Sequence, residues 1–204
     1  LPKRTFFNLP EQKRQNLMQA AEEEFAKSPL YEASISNIVK SAGIPRGSFY
    51  QYFEDKEDVY FYLLKEETKT RKIELIDKLK KHHGDIIDAV IDMYYEFLVD
   101  LPDDQELNFL KNALLNVTHK IEDAVTSMFE DSHSNDYMEQ INRLIDKERL
   151  NIEDDQQIYH ILQIIVAVAF RNFVEKFSKE LSDKEAIENF SIEMQLLKNG
   201  LYRN

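Results

Sequence analysis

The sequence predicts an all-α protein, and three observations carry that prediction. Only four glycines and five prolines occur in 204 residues, too few for the many tight turns an all-β chain needs. Apolar residues recur at helical spacing, beginning with Leu17, Ala21 and Phe25 and continuing to Leu201. Hydrophobic residues make up 43% and charged residues 31%, which is enough to bury a core and excludes a disordered chain.

The first helix is expected from near Asn8. Asn8 and Glu11 have the spacing of a capping box, and Pro10 fits a first turn, where its missing N–H costs little. Ser28-Pro29 ends it, because the residue before a proline avoids the α region. A short second helix runs from Ser34, a good N-cap, to Ser41, with Ile35, Ile38 and Val39 inward. Ala42-Gly43 supplies the left-handed turn after it. A third helix begins at Pro45, expected at its first helical position, and carries Phe49, Tyr52 and Phe53.

Asp55 then caps a long fourth helix that reaches Lys81 and is broken at Gly84. Its two ends are apolar, whereas Lys65 to Lys72 is polar all round, the pattern of a helix bridging two domains. Beyond it, Ile87, Val90, Ile91, Tyr94 and Leu98 mark one helix, ended by Pro102-Asp103-Asp104. Shorter helices are expected over 105–131 and 135–149, a long one from Asp154, and a last one over 183–201. The expected division is a three-helix head, 1–55, and a helical body, 56–204, joined through the long helix.

With no cysteine, neither disulfides nor thiolate metal sites hold the fold, which fits a reducing, cytoplasmic setting. The longest unbroken apolar run, Ile164 to Phe170, is short of the roughly 20 residues a span needs, and no secretory signal is expected. No membrane partner is expected. Taken whole, the net charge of −12 disfavours a polyanion, but its distribution reverses that inference. Residues 1–53 carry seven basic groups (Lys3, Arg4, Lys13, Arg14, Lys27, Lys40, Arg46) against five acidic ones, leaving the rest at −14. A basic head on an acidic body approaches nucleic acid in one orientation.

The informative segment runs from Ser34 to Lys56. Two short helices joined through Ala-Gly behind a longer one make a helix-turn-helix. Phe49 and Phe53, four apart, anchor the second of them, while Arg46, Ser48, Tyr50 and Gln51 point away toward a DNA groove. The segment resembles the N-terminal signature of the TetR family of bacterial repressors: Phe25, Ile38, Ala42, Gly43, Gly47, Ser48, Tyr50, Tyr52, Phe53 and Lys56 fall in register. The resemblance covers about residues 10–64. Pro45, where the family usually has Ser, and Phe49, where it often has Leu, are departures.

The resemblance implies DNA contacts residue by residue. Arg46 reads a guanine edge, holds a phosphate or is solvated, Gly47 admits the duplex closely or is a helix-packing notch, Tyr50 touches phosphate or a thymine methyl, and Gln51 reads adenine or is solvated. Tyr52 contacts phosphate or is half-buried in the head. Ser34 and Ser36 add hydroxyl or N–H contacts to phosphate. Lys56 opposes the macrodipole in the first turn of its helix by about 0.3–1 kcal/mol, a cost a nearby phosphate offsets.

In the body, Ile187, Phe190, Met194, Leu197 and Leu201 form a 3,4-spaced seam, and Ile161, Ile165 and Val168 lie on a helix apolar almost all round. These eight residues are the expected interface of a homodimer closed as a four-helix bundle, the alternative being a core within one chain. The resemblance further implies a small-molecule effector whose binding respaces the two recognition helices and releases a repressor from a palindromic operator. Tyr94, Phe97, Phe109, Asn116, His119, Phe129, Arg171 and Asn172 are the candidate lining residues, suited to a lipophilic or aromatic effector. A dimeric architectural or partner-binding protein without such control is the alternative. No phosphate loop, nucleophile motif or paired-His metal motif occurs, so no enzyme, cofactor or metal is expected.

Overall fold

The computed structural model describes residues 2–99, 104–116 and 134–201, and every described element is helical. In chain order these are α1 (Arg4–Phe7), α2 (Glu11–Lys27), α3 (Ile35–Ser41), α4 (Arg46–Tyr52), α5 (Lys56–Lys81), α6 (Ile86–Val99) and α7 (Asp104–Leu115). Then come α8 (Ser134–Leu144), a 3-10 turn (Lys147–Arg149), α9 (Gln156–Ser178) and α10 (Asp183–Leu201). The chain divides into two units, with the boundary inside α5 between Thr68 and Lys69. The first unit also takes α7, and the second holds α6 and α8 to α10.

The first unit is built on aromatic packing. Phe6, Leu17, Phe25, Ile38, Phe49, Phe53, Val59, Tyr60 and Phe109 are buried together. The four-residue spacing of Leu17, Ala21 and Phe25 places them on the inner side of α2, as the periodicity predicted. Asn112 on α7 donates to the carbonyls of Phe25 and Ala26 at 2.9 Å each, satisfying acceptors that the end of α2 leaves open.

The N-terminus differs from expectation. The Asn8–Glu11 capping box does not form: Pro10 is the N-cap of α2, and Glu11 instead accepts from Gln15 at 3.2 Å. Before it stands α1, which sequence periodicity missed because four residues show no period. Phe6 holds it in place against Phe53 and Tyr62, with ring centroids 5.0 and 5.3 Å away. Its residues also serve α4: the Lys3 N–H donates to Tyr52 O at 2.7 Å, Lys3 Nζ to Tyr50 O at 3.0 Å, and the Thr5 hydroxyl to Gln51 O. Three C-terminal carbonyls of α4 are thereby satisfied.

Three helices end alike. After α3, α5 and α9 one residue turns left-handed while the next N–H reaches back to a carbonyl five residues earlier, as in the Schellman motif. The bonds are Ile44 to Val39, Gly84 to Leu79 and Leu181 to Lys176, at 3.0, 2.8 and 3.0 Å. The left-handed residues are Gly43 (φ 67°), His83 (φ 52°) and Glu180 (φ 53°).

The second unit packs α6, α9 and α10 around Tyr94, whose ring stacks on Phe190 at 4.1 Å and lies 4.6 Å from Phe173. Charges pin its periphery. Asp92 accepts from Lys81 at 2.7 Å and His82 at 2.8 Å, and lies 3.3 Å from Lys78, which also pairs with Glu96. Asp85, almost fully buried, caps α6 by accepting from the Asp88 N–H at 3.0 Å and pairs with Lys198 at 2.8 Å. α9 is long and apolar enough to cross a membrane by length and composition, yet its Ile158, Ile161, Leu162 and Ile165 are buried in this core.

Candidate nucleic-acid interface

α4 is a two-faced helix. Phe49 and, at its C-cap, Phe53 are fully buried, while Arg46, Gly47, Tyr50 and Gln51 are exposed and Ser48 and Tyr52 half-buried. The i, i+4 spacing of the two phenylalanines fixes which face points inward. Pro45 sits at the N-cap rather than at the first helical position, because its ψ of 143° is extended. A β-carbon placed on Gly47 would meet nothing within 4 Å, so among the described residues this glycine serves no packing and leaves the face flat.

Arg46 is held in position. Its Nη1 donates to the Ser36 hydroxyl of α3 at 2.6 Å and its Nη2 to the Tyr50 hydroxyl at 3.4 Å. The guanidinium has five N–H donors, so these two contacts orient it while leaving others to face a ligand. Ser36 is thus a bracket for Arg46. Ser34 makes no side-chain cap at α3 among the described residues; its N–H instead donates to Glu24 Oε1 at 2.7 Å, and Asn37 Nδ2 reaches the same oxygen at 3.2 Å.

Lys56 departs from expectation. Its ammonium is turned onto the head itself, donating to Tyr31 O and Ala33 O at 2.9 Å each. Two carbonyls therefore offset the unfavourable dipole that a phosphate was expected to offset. Asp55 caps α5 as foreseen, accepting from the Asp58 N–H at 2.9 Å.

Of the residues expected to line an effector site, Tyr94, Phe97, Arg171 and Asn172 lie in the second unit, and Phe109 and Asn116 in the first. Phe109 lies in the first unit's core, its ring 6.3 Å from Phe25 and 5.4 Å from Tyr60, and Asn116 donates to Asn112 O on α7. Arg171 is 53% exposed and pairs with Glu175 and Glu193, because its side chain leaves the apolar stripe for acidic partners on α9 and α10. Asn172 is buried but satisfied, donating to Val168 O at 2.9 Å and Glu193 Oε2 at 2.7 Å. Tyr94 and Phe97 are buried in the second unit, and the Tyr94 hydroxyl has no hydrogen-bond partner among the described residues. Burial, reinforced by the Glu193 charge, pushes its phenol well above the ordinary range. His119 and Phe129 lie outside the described residues.

Half of the expected interface seam is taken up by the chain's own core. Ile161, Ile165, Phe190 and Met194 are buried within one chain, with Val168, Ile187 and Leu197 half-buried against the same core; the backbone of Leu201 closes α10. The four buried ones pack α9 and α10 on each other and on α6, whereas Val168, Ile187 and Leu197 keep part of their surface open. Left outside are Ile164 on α9, 45% exposed, and Ile192 and Leu196 on α10, 60% and 66% exposed. Sequence reasoning missed these three, although the i, i+4 pair Ile192–Leu196 is a signal on the opposite side of α10.

Comparison with known proteins accords with this geometry. Residues 17–63 match the family profile "Bacterial regulatory proteins, tetR family", and residues 85–201 match "Tetracyclin repressor-like, C-terminal domain". The uncharacterized HTH-type transcriptional regulator YdgC of Bacillus subtilis is 38% identical over 61 residues, 29% of this chain and 31% of its own. The fatty acid metabolism regulator protein of the same organism is 41% identical over 58 residues, 27% of this chain and 30% of its own. The chain thus spans about a third of the length of these curated relatives. The structure of the transcriptional regulator FadR from Bacillus subtilis in complex with stearoyl-CoA superposes with a TM-score of 0.63 at 17% identity, covering 91% of this chain and 98% of that one, a likeness of fold.

Proposed function

Because the chain belongs to the TetR family of bacterial transcription regulators, we propose that it is a homodimeric repressor that grips a palindromic operator with two copies of α4 and leaves it when an effector occupies the body. The family is one of DNA-binding regulators, not of enzymes. In this proposal residues 1–55 are the DNA-binding head, 56–204 the regulatory and dimerising body, and the protein works in the cytoplasm.

The observation that carries the proposal is the outer face of α4. Arg46, pre-oriented by Ser36 and Tyr50, stands beside the open Gly47 and the exposed Gln51. A donor fork already fixed in place costs less entropy to bring to a guanine edge. One such helix covers one half-site. Two half-sites about 34–36 Å apart require a symmetric pair, and the exposed Ile164, Ile192 and Leu196 supply an apolar surface for a second copy. That use also accounts for the apolar length of α9 without a membrane.

For the effector, the Tyr94 hydroxyl, without a partner among the described residues and carried on a ring packed against Phe173 and Phe190, supports a largely apolar ligand with one polar group. The stearoyl-CoA complex of the FadR structure, alike in fold, favours an acyl chain. α5 belongs to both units, so repacking of its C-terminal half is carried along a continuous helix toward the head.

The test is to select duplexes with the full-length protein from a random pool and measure affinity against salt. A palindromic consensus, a steep salt dependence and a loss of about 1–3 kcal/mol in Arg46→Ala are expected. Retention of no preferred sequence would reject the proposal.

A further inference from the structure

Lys56 occupies the first residue of α5, yet it faces the loop that leads into α3. Residues 29–33 form a turn in which the Glu32 and Ala33 N–H groups donate to Pro29 O at 2.9 and 3.0 Å. The carbonyls of Tyr31 and Ala33 leave this turn toward the Lys56 ammonium, each 2.9 Å away. On its other side the same stretch is tied to α2, since the buried Glu24 carboxylate accepts from the Ser34 N–H at 2.7 Å and from Asn37 at 3.2 Å. Two residues beyond Ser34 stands Ser36, the acceptor of Arg46. A chain of direct contacts therefore runs from the start of α5, through the entry of α3, to the base-facing guanidinium of α4.

We infer that Lys56 is a positioning residue, a latch that fixes the entry of α3 to the head of α5 and through it the placement of Arg46, and that it is not a phosphate ligand. The inference rests on the DNA-binding proposal for its consequence but not for its geometry. An ammonium already paired with two carbonyls must break charge-assisted bonds to reach a phosphate. As a latch it acts by preorganisation, so its removal weakens every complex without changing how many counterions DNA binding releases. It also gives α5, the helix common to both units, a contact through which a shift of its first turn alters the recognition pair.

Two variants of the full-length protein, Lys56→Met and Lys56→Arg, test this by two readouts. The first is affinity against salt for a duplex that the wild type enriches from a random pool. The second is amide exchange at Ser34, Asn37 and Ile38 in the DNA-free protein, whose N–H groups donate to Glu24 Oε1 and Ser34 O. Lys56→Met is expected to bind about tenfold more weakly with an unchanged slope of log K against log salt, and to exchange faster at those amides. Lys56→Arg, which keeps the charge and several donors, is expected to restore both.

A slope reduced by about 0.9 with unaltered exchange would make Lys56 a phosphate ligand and overturn the inference, as would a Lys56→Met variant unchanged in both readouts. Should the wild type enrich no DNA, the operator proposal fails while the exchange measurement still decides the latch. If Lys56→Met does not fold, Lys56→Gln carries the same two measurements.

Discussion

Consider replacing Gly84 by alanine. Gly84 follows the left-handed His83 at the end of α5 and itself has φ of 84°, where a side chain costs about 1–2 kcal/mol. An added β-carbon would stand 2.5 Å from Asp146 N and 2.5 Å from Leu144 O, both backbone atoms beyond the relief of any rotamer change. Ordinary contact begins near 3.4 Å, so the α5–α6 turn must part from the end of α8 by most of an ångström. That movement breaks the 3.0 Å bond from the Asp146 N–H to Gly84 O, worth about 1 kcal/mol. With an overpacking cost of about 1–3 kcal/mol, the total destabilisation is about 3–6 kcal/mol. Urea unfolding of the full chain followed by circular dichroism reads this directly. His83→Gly is the control: it relieves a non-glycine left-handed residue at an exposed site, so it should stabilise by roughly 0.5–1 kcal/mol. A Gly84→Ala loss below about 1 kcal/mol would show that the turn gives way freely and refute the packing argument.

Asp92 predicts an acid limb. Burial alone pushes its carboxyl up, but hydrogen bonds from Lys81, His82 and Lys78 outweigh it and hold the group at about 2, below its ordinary 3.8. The stabilisation is complete above pH 4 or so and is lost as pH falls toward 2; allowing for screening it amounts to about 1 kcal/mol. Asp92→Asn should remove that part of the pH dependence, and an identical acid limb would tell against the network. Tyr94→Phe deletes a buried hydroxyl without a partner among the described residues, so stability should hold or rise by up to about 1 kcal/mol while effector response is lost; a retained response would remove Tyr94 from the site. Leu196→Glu with Ile192→Lys should shift sedimentation from dimer to monomer while leaving circular dichroism unchanged, because both side chains are exposed in the single chain. An undiminished dimer would place the interface elsewhere.

The head was legible because its signals are local. Gly43 marks a left-handed turn, Phe49 and Phe53 mark the inner face of α4, and Asp55 marks a helix start; each is a choice dictated within a few residues. What stayed hidden depends on distant partners. α1 is too short to show a period and is placed by Phe53 and Tyr62; Lys56 looked like a free cation because its acceptors lie more than twenty residues earlier in the chain. His83 and Glu180 end helices as Gly43 does, yet neither is a glycine, so tertiary fit overrode the residue preference that makes such ends readable. Phe109 was assigned to the body because the division at the long helix put everything after residue 55 there, whereas α7 packs on α2 and supplies the first unit's core.

The candidate interface was only partly legible, for a reason specific to α9. A helix apolar on every side states that two faces are covered but not which one turns inward, and the regular 187–190–194–197 spacing of α10 describes any near-parallel helix packing, within a chain or between chains. Burial settles the first half: that seam belongs to the chain's own core. The remaining surface sets a condition on the second half. Ile164, Ile192 and Leu196 are each about half exposed or more, and full burial of such side chains is worth roughly 1.5–3 kcal/mol. Covering them on both copies returns of the order of 5–10 kcal/mol, comparable with the 4–15 kcal/mol cost of association. Three residues per chain therefore do not hold a tight dimer. In the proposed dimer a stable pair must also close over half-buried neighbours such as Val168, Phe170 and Leu197.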